Sequence, residues 1–263
     1  MKANEKALIQ KDIQEIVKAK RVLLPAIIIP VIFAVITPIT ILIIAHFVKN
    51  DPAAYEKMGP ILKKMPEYKQ YDPSQMMIKM MLDFMFPGYF IMIPIMCSGV
   101  IGASSFVGER EHKTMESLLY TPINMEQLLR CKILGVFIPT YILTVISFIF
   151  MAVIFNVGGI IYFDKIIFPD SKWILILLWV TPIISFLSLT FTAIVSAKSK
   201  SFQEAQQFSG ILIIPVAMLI VVQMAGALMF SNLLVFIAGL LLLVLDFILL
   251  RKVSEKFIPE ELV

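Results

Sequence analysis

Apolar residues gather in long unbroken runs along this chain, and charged residues fall almost entirely between the runs. The first run, Val22–Val48, is 27 residues long and contains no Asp, Glu, Lys or Arg. Further runs cover about 84–107, 133–157 and 173–197, and a last stretch extends from about Phe208 to Leu250. A helix crosses a bilayer in about 20 apolar residues. The last stretch, some 43 residues long, therefore holds two crossings. Ser231 and Asn232 are its only adjacent polar pair and divide it into 208–229 and 232–250. Six spans result. No strand-like alternation runs through them, and a backbone in lipid must satisfy its own polar groups, so the spans are predicted to be helices. Pro25, Pro30, Pro38, Pro94, Pro139, Pro182 and Pro215 fall inside spans. They are predicted to kink the helices rather than end them, because neighbouring helices can satisfy the freed carbonyls.

Between the runs the pattern changes. In residues 1–21, Ile9, Ile13, Ile16 and Val17 share one helical face, with Lys and Glu elsewhere. This reads as an amphipathic helix lying in the membrane interface, or as a solvated basic tail. Residues 49–83 form the largest loop, broken by Pro52, Pro60, Pro66 and Pro73 and ending in Met76, Met77, Met80, Met81 and Met85. That methionine stripe reads as an extension of the second span, or as a set of soft ligands for Cu(I). Residues 108–124 begin with alternating acids and bases. Met115, Leu118 and Leu119 then share a face, Thr121-Pro122 ends the helix, and Asn124 can cap the next one. The outcome is a short helix across one membrane face, with a charged and an apolar side.

Composition narrows the class. Hydrophobic residues make up 59% of the 263 and charged residues 16%, against about 45–50% and 25% in soluble domains, and the mean hydropathy is +0.89. A water-soluble globule and a disordered chain are both excluded. The formal charge of +4 is too small to suggest a nucleic-acid partner. Two cysteines, Cys97 and Cys131, and two distant histidines, His46 and His112, make neither a disulfide framework nor a metal site. Lys and Arg number 15 in the segments holding the termini, 108–132 and 198–200, against eight in 49–83 and 157–173. The richer side is cytoplasmic by the positive-inside rule, so both termini are expected inside, in a multi-pass plasma-membrane protein. The 21 polar residues before the first run argue against a cleaved signal peptide.

The string Gly108-Glu109-Arg110-Glu111, followed by Thr114, Glu116, Leu118-Leu119 and Thr121-Pro122, resembles the loop after the second span in type 2 ABC-transporter permeases. The span count, inside termini and amphipathic N-terminal helix match as well. The resemblance implies an all-α membrane protein of six transmembrane helices, with an N-terminal interfacial helix and a cytoplasmic coupling helix at 108–124. It implies a half-transporter that pairs with a second copy and docks one ATP-binding subunit per copy. Glu109, Arg110, Glu111, Thr114, Met115, Glu116, Leu118 and Leu119 would form the docking surface, and the N-terminal helix a second contact. Independently, the chain has no Gly-x-x-x-x-Gly-Lys-Ser/Thr loop. No cofactor is expected in it; ATP and Mg would belong to the partner.

Polar residues inside the spans bear on what is moved. Thr181, Ser185, Ser188, Thr192 and Ser196 line one face of span four, and Ser98, Gly102 and Ser105 one face of span two. These rows read as close helix packing through small residues or as the lining of a translocation path. Asn156 and Gln223 are lone amides expected to bond across helices. Asp246 is the one clear charge inside a span. It reads as a polar contact in the bundle, or as the proton relay of an ion-coupled secondary carrier, the competing function. An intramembrane enzyme lacks machinery here, with neither His-Glu-x-x-His nor paired intramembrane acids. Twenty Phe and 16 Met suit a flexible surface and an amphipathic cargo, such as a peptide, drug or lipid-like molecule.

Overall fold

A bilayer gives backbone groups no partners, and helices supply them within the chain. In the computed structural model, which describes residues 3–49, 66–111, 125–224 and 232–256, every regular element is helical. Six helices are long and apolar enough to cross a membrane: Lys20–Val48, Pro73–Gly108, Arg130–Phe163, Ser171–Lys198, Phe202–Gln223 and Asn232–Arg251, numbered here as spans one to six. Span two lies at the centre. In its most apolar window 78% of residues are buried, against 17% in spans five and six. Its most extensive contact is with span four, and spans one, three and five also pack on it. The outward faces of spans one, three, five and six carry large exposed apolar residues such as Phe47, Phe150, Met218 and Phe247, as a lipid-facing surface requires.

Span two starts at Pro73, eleven residues before the apolar run suggests. Asp72 and Gln75 close a capping box, with Asp72 accepting from the Gln75 N–H and the Gln75 side chain accepting from the Asp72 N–H. The methionine stripe thus belongs to a helix, with Met76 fully buried. The division of the last stretch near Phe230–Asn232 falls in 225–231, outside the described residues.

Proline acts through π turns at three places. Five-residue π turns, Ile32–Ile36, Met81–Met85 and Ile176–Val180, each end one residue before an X-Pro pair at Pro38, Pro87 and Pro182. A proline ring meets the carbonyl four residues before it, and the extra residue of a π turn opens the backbone there. Each turn closes through an N–H to the carbonyl five residues back, Thr37 to Ile32, Phe86 to Met81 and Thr181 to Ile176. The Thr37 and Thr181 hydroxyls donate to the same carbonyls, at 2.8 and 2.9 Å. Pro25, Pro30, Pro94 and Pro139 sit inside helices that continue through them, as expected of prolines that do not end a span, and Pro87, at the π turn of span two, was not among the prolines singled out from the sequence.

The chain after span three turns back along its own helix. Asp164, at φ 55°, reverses it. Gly159 admits the Lys165 carbonyl, which a Cβ there would meet at 2.7 Å. Asn156 satisfies the returning backbone: it accepts from the N–H groups of Ile167 and Phe168 at 3.2 and 3.0 Å and donates to the Phe168 carbonyl at 2.6 Å. Its expected partner was another helix; irregular backbone at this depth needs the amide more. Phe168 then joins Phe86, Phe90, Phe148, Phe155 and Trp173 in an aromatic knot with ring centroids 4.7–6.4 Å apart.

Candidate functional site

The end of the bundle that holds the N-terminus is where the charged string begins. The helix of span two runs without a break from Phe86 to Glu111, so Glu109, Arg110 and Glu111 continue the central span as one helix. Thr114, Met115, Glu116, Leu118 and Leu119 lie in 112–124, outside the described residues. The next helix begins at Met125 and is continuous to Phe163. Spans two and three are tied together just inside this end. Lys132 donates to the Ser105 carbonyl at 2.7 Å and lies 5.7 Å from the centre of the Phe106 ring.

The N-terminal helix, Ala3–Lys18, lies against the foot of span three. Its inward face is Ile9, Asp12 and Ile16, all buried, with Ile13 half-buried, whereas Val17 points away and is 58% exposed. The face expected from Ile9, Ile13, Ile16 and Val17 is therefore rotated toward a buried acid. Gly135 allows that approach: a Cβ on it would stand 3.0 Å from the Asp12 Cβ.

The two rows of small residues meet one another. Ser98 and all five hydroxyl residues of span four, Thr181, Ser185, Ser188, Thr192 and Ser196, have no exposed surface. Gly102 lies against Thr192 and Leu189, which a Cβ would meet at 3.1 and 3.3 Å. The Ser188 hydroxyl crosses to the Ile95 carbonyl at 3.2 Å, while Ser185 and Thr192 bond back to Thr181 and Ser188 in their own helix. Ser105 is half-buried at the lower end of the row. In the single chain these residues form the seam between spans two and four.

Asp246 is buried in span six and accepts the Thr190 hydroxyl of span four at 3.0 Å. Gln223 is buried, and its amide has no hydrogen-bond partner among the described residues, so the cross-helix bond expected of it is absent there. Among the described residues no group of three His, Cys, Asp or Glu is placed to hold a metal. One cluster escaped the sequence reading: Asp83 meets Lys79, Lys172 and Tyr68 at the opposite end of the bundle. The four-residue spacing of Lys79 and Asp83 signals half of it. Nothing local signals Lys172, 89 residues further on.

A family model described as ABC-2 family transporter protein matches residues 6–251. The chain belongs to the ABC-2 transporter family. No curated protein and no solved structure matched the chain. Family membership and six apolar helices make this a multi-pass membrane protein, the permease part of an ABC transporter and not itself catalytic. Membership also implies an ATP-binding partner subunit. At this end of the bundle the end of span two is bound to span three and flanked by the N-terminal helix.

Proposed function

We propose that the chain is the membrane half of an ATP-driven exporter in the plasma membrane, with both termini in the cytoplasm. Two copies form the path, and each docks one ATP-binding subunit through residues 108–124, with the N-terminal helix as a second contact. The cargo is amphipathic, such as a peptide, drug or lipid-like molecule. The observation that carries this reading is the unbroken helix from Phe86 to Glu111, which makes the start of the charged string a rigid extension of the central span. Charges in that string would set partner and register, and Met115, Leu118 and Leu119 would supply buried area. Hydrolysis in the partner shifts the docked surface. The Lys132–Ser105 contact then passes the shift to spans two and three together. The seam of Ser98, Gly102 and Ser105 with Thr181, Ser185, Ser188, Thr192 and Ser196 becomes part of the path when the spans separate.

The test is a reconstituted complex of the chain with its ATP-binding subunit. Glu111→Lys or Glu116→Lys is expected to leave insertion intact and ATP hydrolysis running. Transport should fall at least about tenfold, the effect of about 1.4 kcal/mol lost from docking. Transport unchanged from wild type would end the docking assignment. Stimulation of hydrolysis by a panel of amphipathic peptides and drugs would identify the cargo class.

A further inference from the structure

At the end of the bundle opposite the termini, two lysines meet one carboxylate. Lys79 Nζ lies 3.3 Å from Asp83 Oδ1, and Lys172 Nζ lies 3.2 Å from that same oxygen. The Tyr68 hydroxyl donates to the other oxygen, Oδ2, at 3.0 Å, so the two lysines share a single carboxylate oxygen. The neighbouring acids serve as caps. Asp72 accepts from the Gln75 N–H and the Ser74 hydroxyl, and Asp170 accepts from the Trp173 N–H at the start of span four. Two ammonium groups thus share one carboxylate as their ion-pair partner among the described residues, while the Asp72 and Asp170 carboxylates are engaged by backbone N–H groups. The Lys172 and Asp83 side chains are only 11% and 16% exposed, and that of Lys79 is 26% exposed. A charge so poorly hydrated is costly unless an opposite one meets it. The more accessible Lys79 is the side from which an anion can arrive.

The depth of the cluster says what kind of anion. Ser105, bonded to Lys132, marks the opposite, charged end of span two. Asp83 is 22 residues away along that helix, about 33 Å at 1.5 Å per residue. The hydrocarbon core of a bilayer is about 30 Å thick. Asp83 and both lysines therefore lie in the headgroup layer of the far leaflet, where lipid phosphates are held at this height. Met80 and Tyr71, both half-buried beside Tyr68, supply an apolar wall suited to the glycerol and upper acyl chain.

We propose that Lys79 and Lys172, which share the Asp83 carboxylate, bind the phosphate of an anionic phospholipid headgroup in that leaflet. The lipid completes the ion cluster that joins the start of span four, the outer part of span two and the 66–70 turn. It acts as a bound structural ligand at the outer end of the bundle.

The full-length chain, purified in neutral detergent, is mixed with phosphatidylglycerol or phosphatidylcholine at equal mole fraction. Its melting midpoint and the lipid it retains in native mass spectrometry are then measured. The wild type should melt higher with phosphatidylglycerol and retain it preferentially. Lys79→Gln leaves Asp83 to Lys172 alone, and the preference should fall about fivefold, as for one basic group at a membrane surface. Lys79→Arg should keep the preference, and Asp83→Asn, which removes the shared carboxylate, should raise it. Lys69→Gln, on the exposed neighbouring turn, should leave it alone. The proposal is overturned if Lys79→Gln retains the wild-type preference or if Lys69→Gln loses as much. It is equally overturned if inorganic phosphate with phosphatidylcholine reproduces the phosphatidylglycerol effect, which would make this a free-phosphate site.

Discussion

At the scale of single residues, the polar side chains inside this bundle mostly serve backbone. Asn156 holds both N–H groups of Ile167 and Phe168 and the Phe168 carbonyl. Thr37 and Thr181 add a second donor to the carbonyls that close two π turns. Asn156→Leu would strand three backbone groups at the membrane boundary, each costing about 1–3 kcal/mol where water does not replace the amide. The expected result is a melting midpoint in detergent several degrees below wild type. Asn156→Asp, which keeps the acceptor and loses only the donor, should fall between. Equal melting of all three proteins would show that the returning segment does not depend on this side chain. The sequence marks Asn156 as a polar intruder in a span. Its partner eleven residues on becomes apparent only once the chain reverses at Asp164.

At the scale of elements, small residues let two helices approach and large ones keep them apart. Gly102 and the hydroxyl row of span four make a close seam in the molecule's centre, and between lipid-embedded helices such packing replaces the hydrophobic drive that operates in water. Gly102→Leu would press into Thr192 and Leu189 and is expected to cut the folded, monodisperse yield several-fold. Gly210→Ala, at a position with nothing within 4 Å of a new Cβ, should express as wild type. Fluorescence-detected gel filtration distinguishes the two. The spacing of Thr181, Ser185, Ser188, Thr192 and Ser196 was legible in the sequence as one face; which helix that face meets was not. The beginning of span two was hidden for another reason: Lys79 and Asp83 interrupt the apolar run, although the helix continues through them with Lys79 Nζ 3.3 Å from Asp83 Oδ1.

At the scale of the whole molecule, the two ends of the bundle differ. One end holds an aromatic knot, a returning segment and a shared-carboxylate ion cluster. The other brings together the N-terminal helix, the foot of span three and the end of span two. On the proposed function, movement imposed at the second end travels along span two toward the first. Gly135→Val should test that coupling, because a side chain there would push Asp12 and the N-terminal helix off span three. The expected outcome is faster tryptic cleavage at Lys6, Lys11 and Lys18 with normal membrane insertion, and a smaller ratio of transport to ATP hydrolysis in the complex. Cleavage at the wild-type rate would mean that the contact tolerates the added bulk.

The sequence alone determined that the chain is helical and has six segments long and apolar enough to cross a membrane, because run length against bilayer thickness leaves little else possible. The loop beginning at Gly108 carried the family resemblance, and the family match over residues 6–251 bears it out. Tertiary structure alone decided which faces are buried, that Asp12 turns inward while Val17 does not, and that Lys79, Asp83 and Lys172 meet. The reason is physical: a helix in lipid is apolar toward both its neighbours and its solvent. The contrast that reveals a buried face in a water-soluble protein is missing from the sequence of these spans.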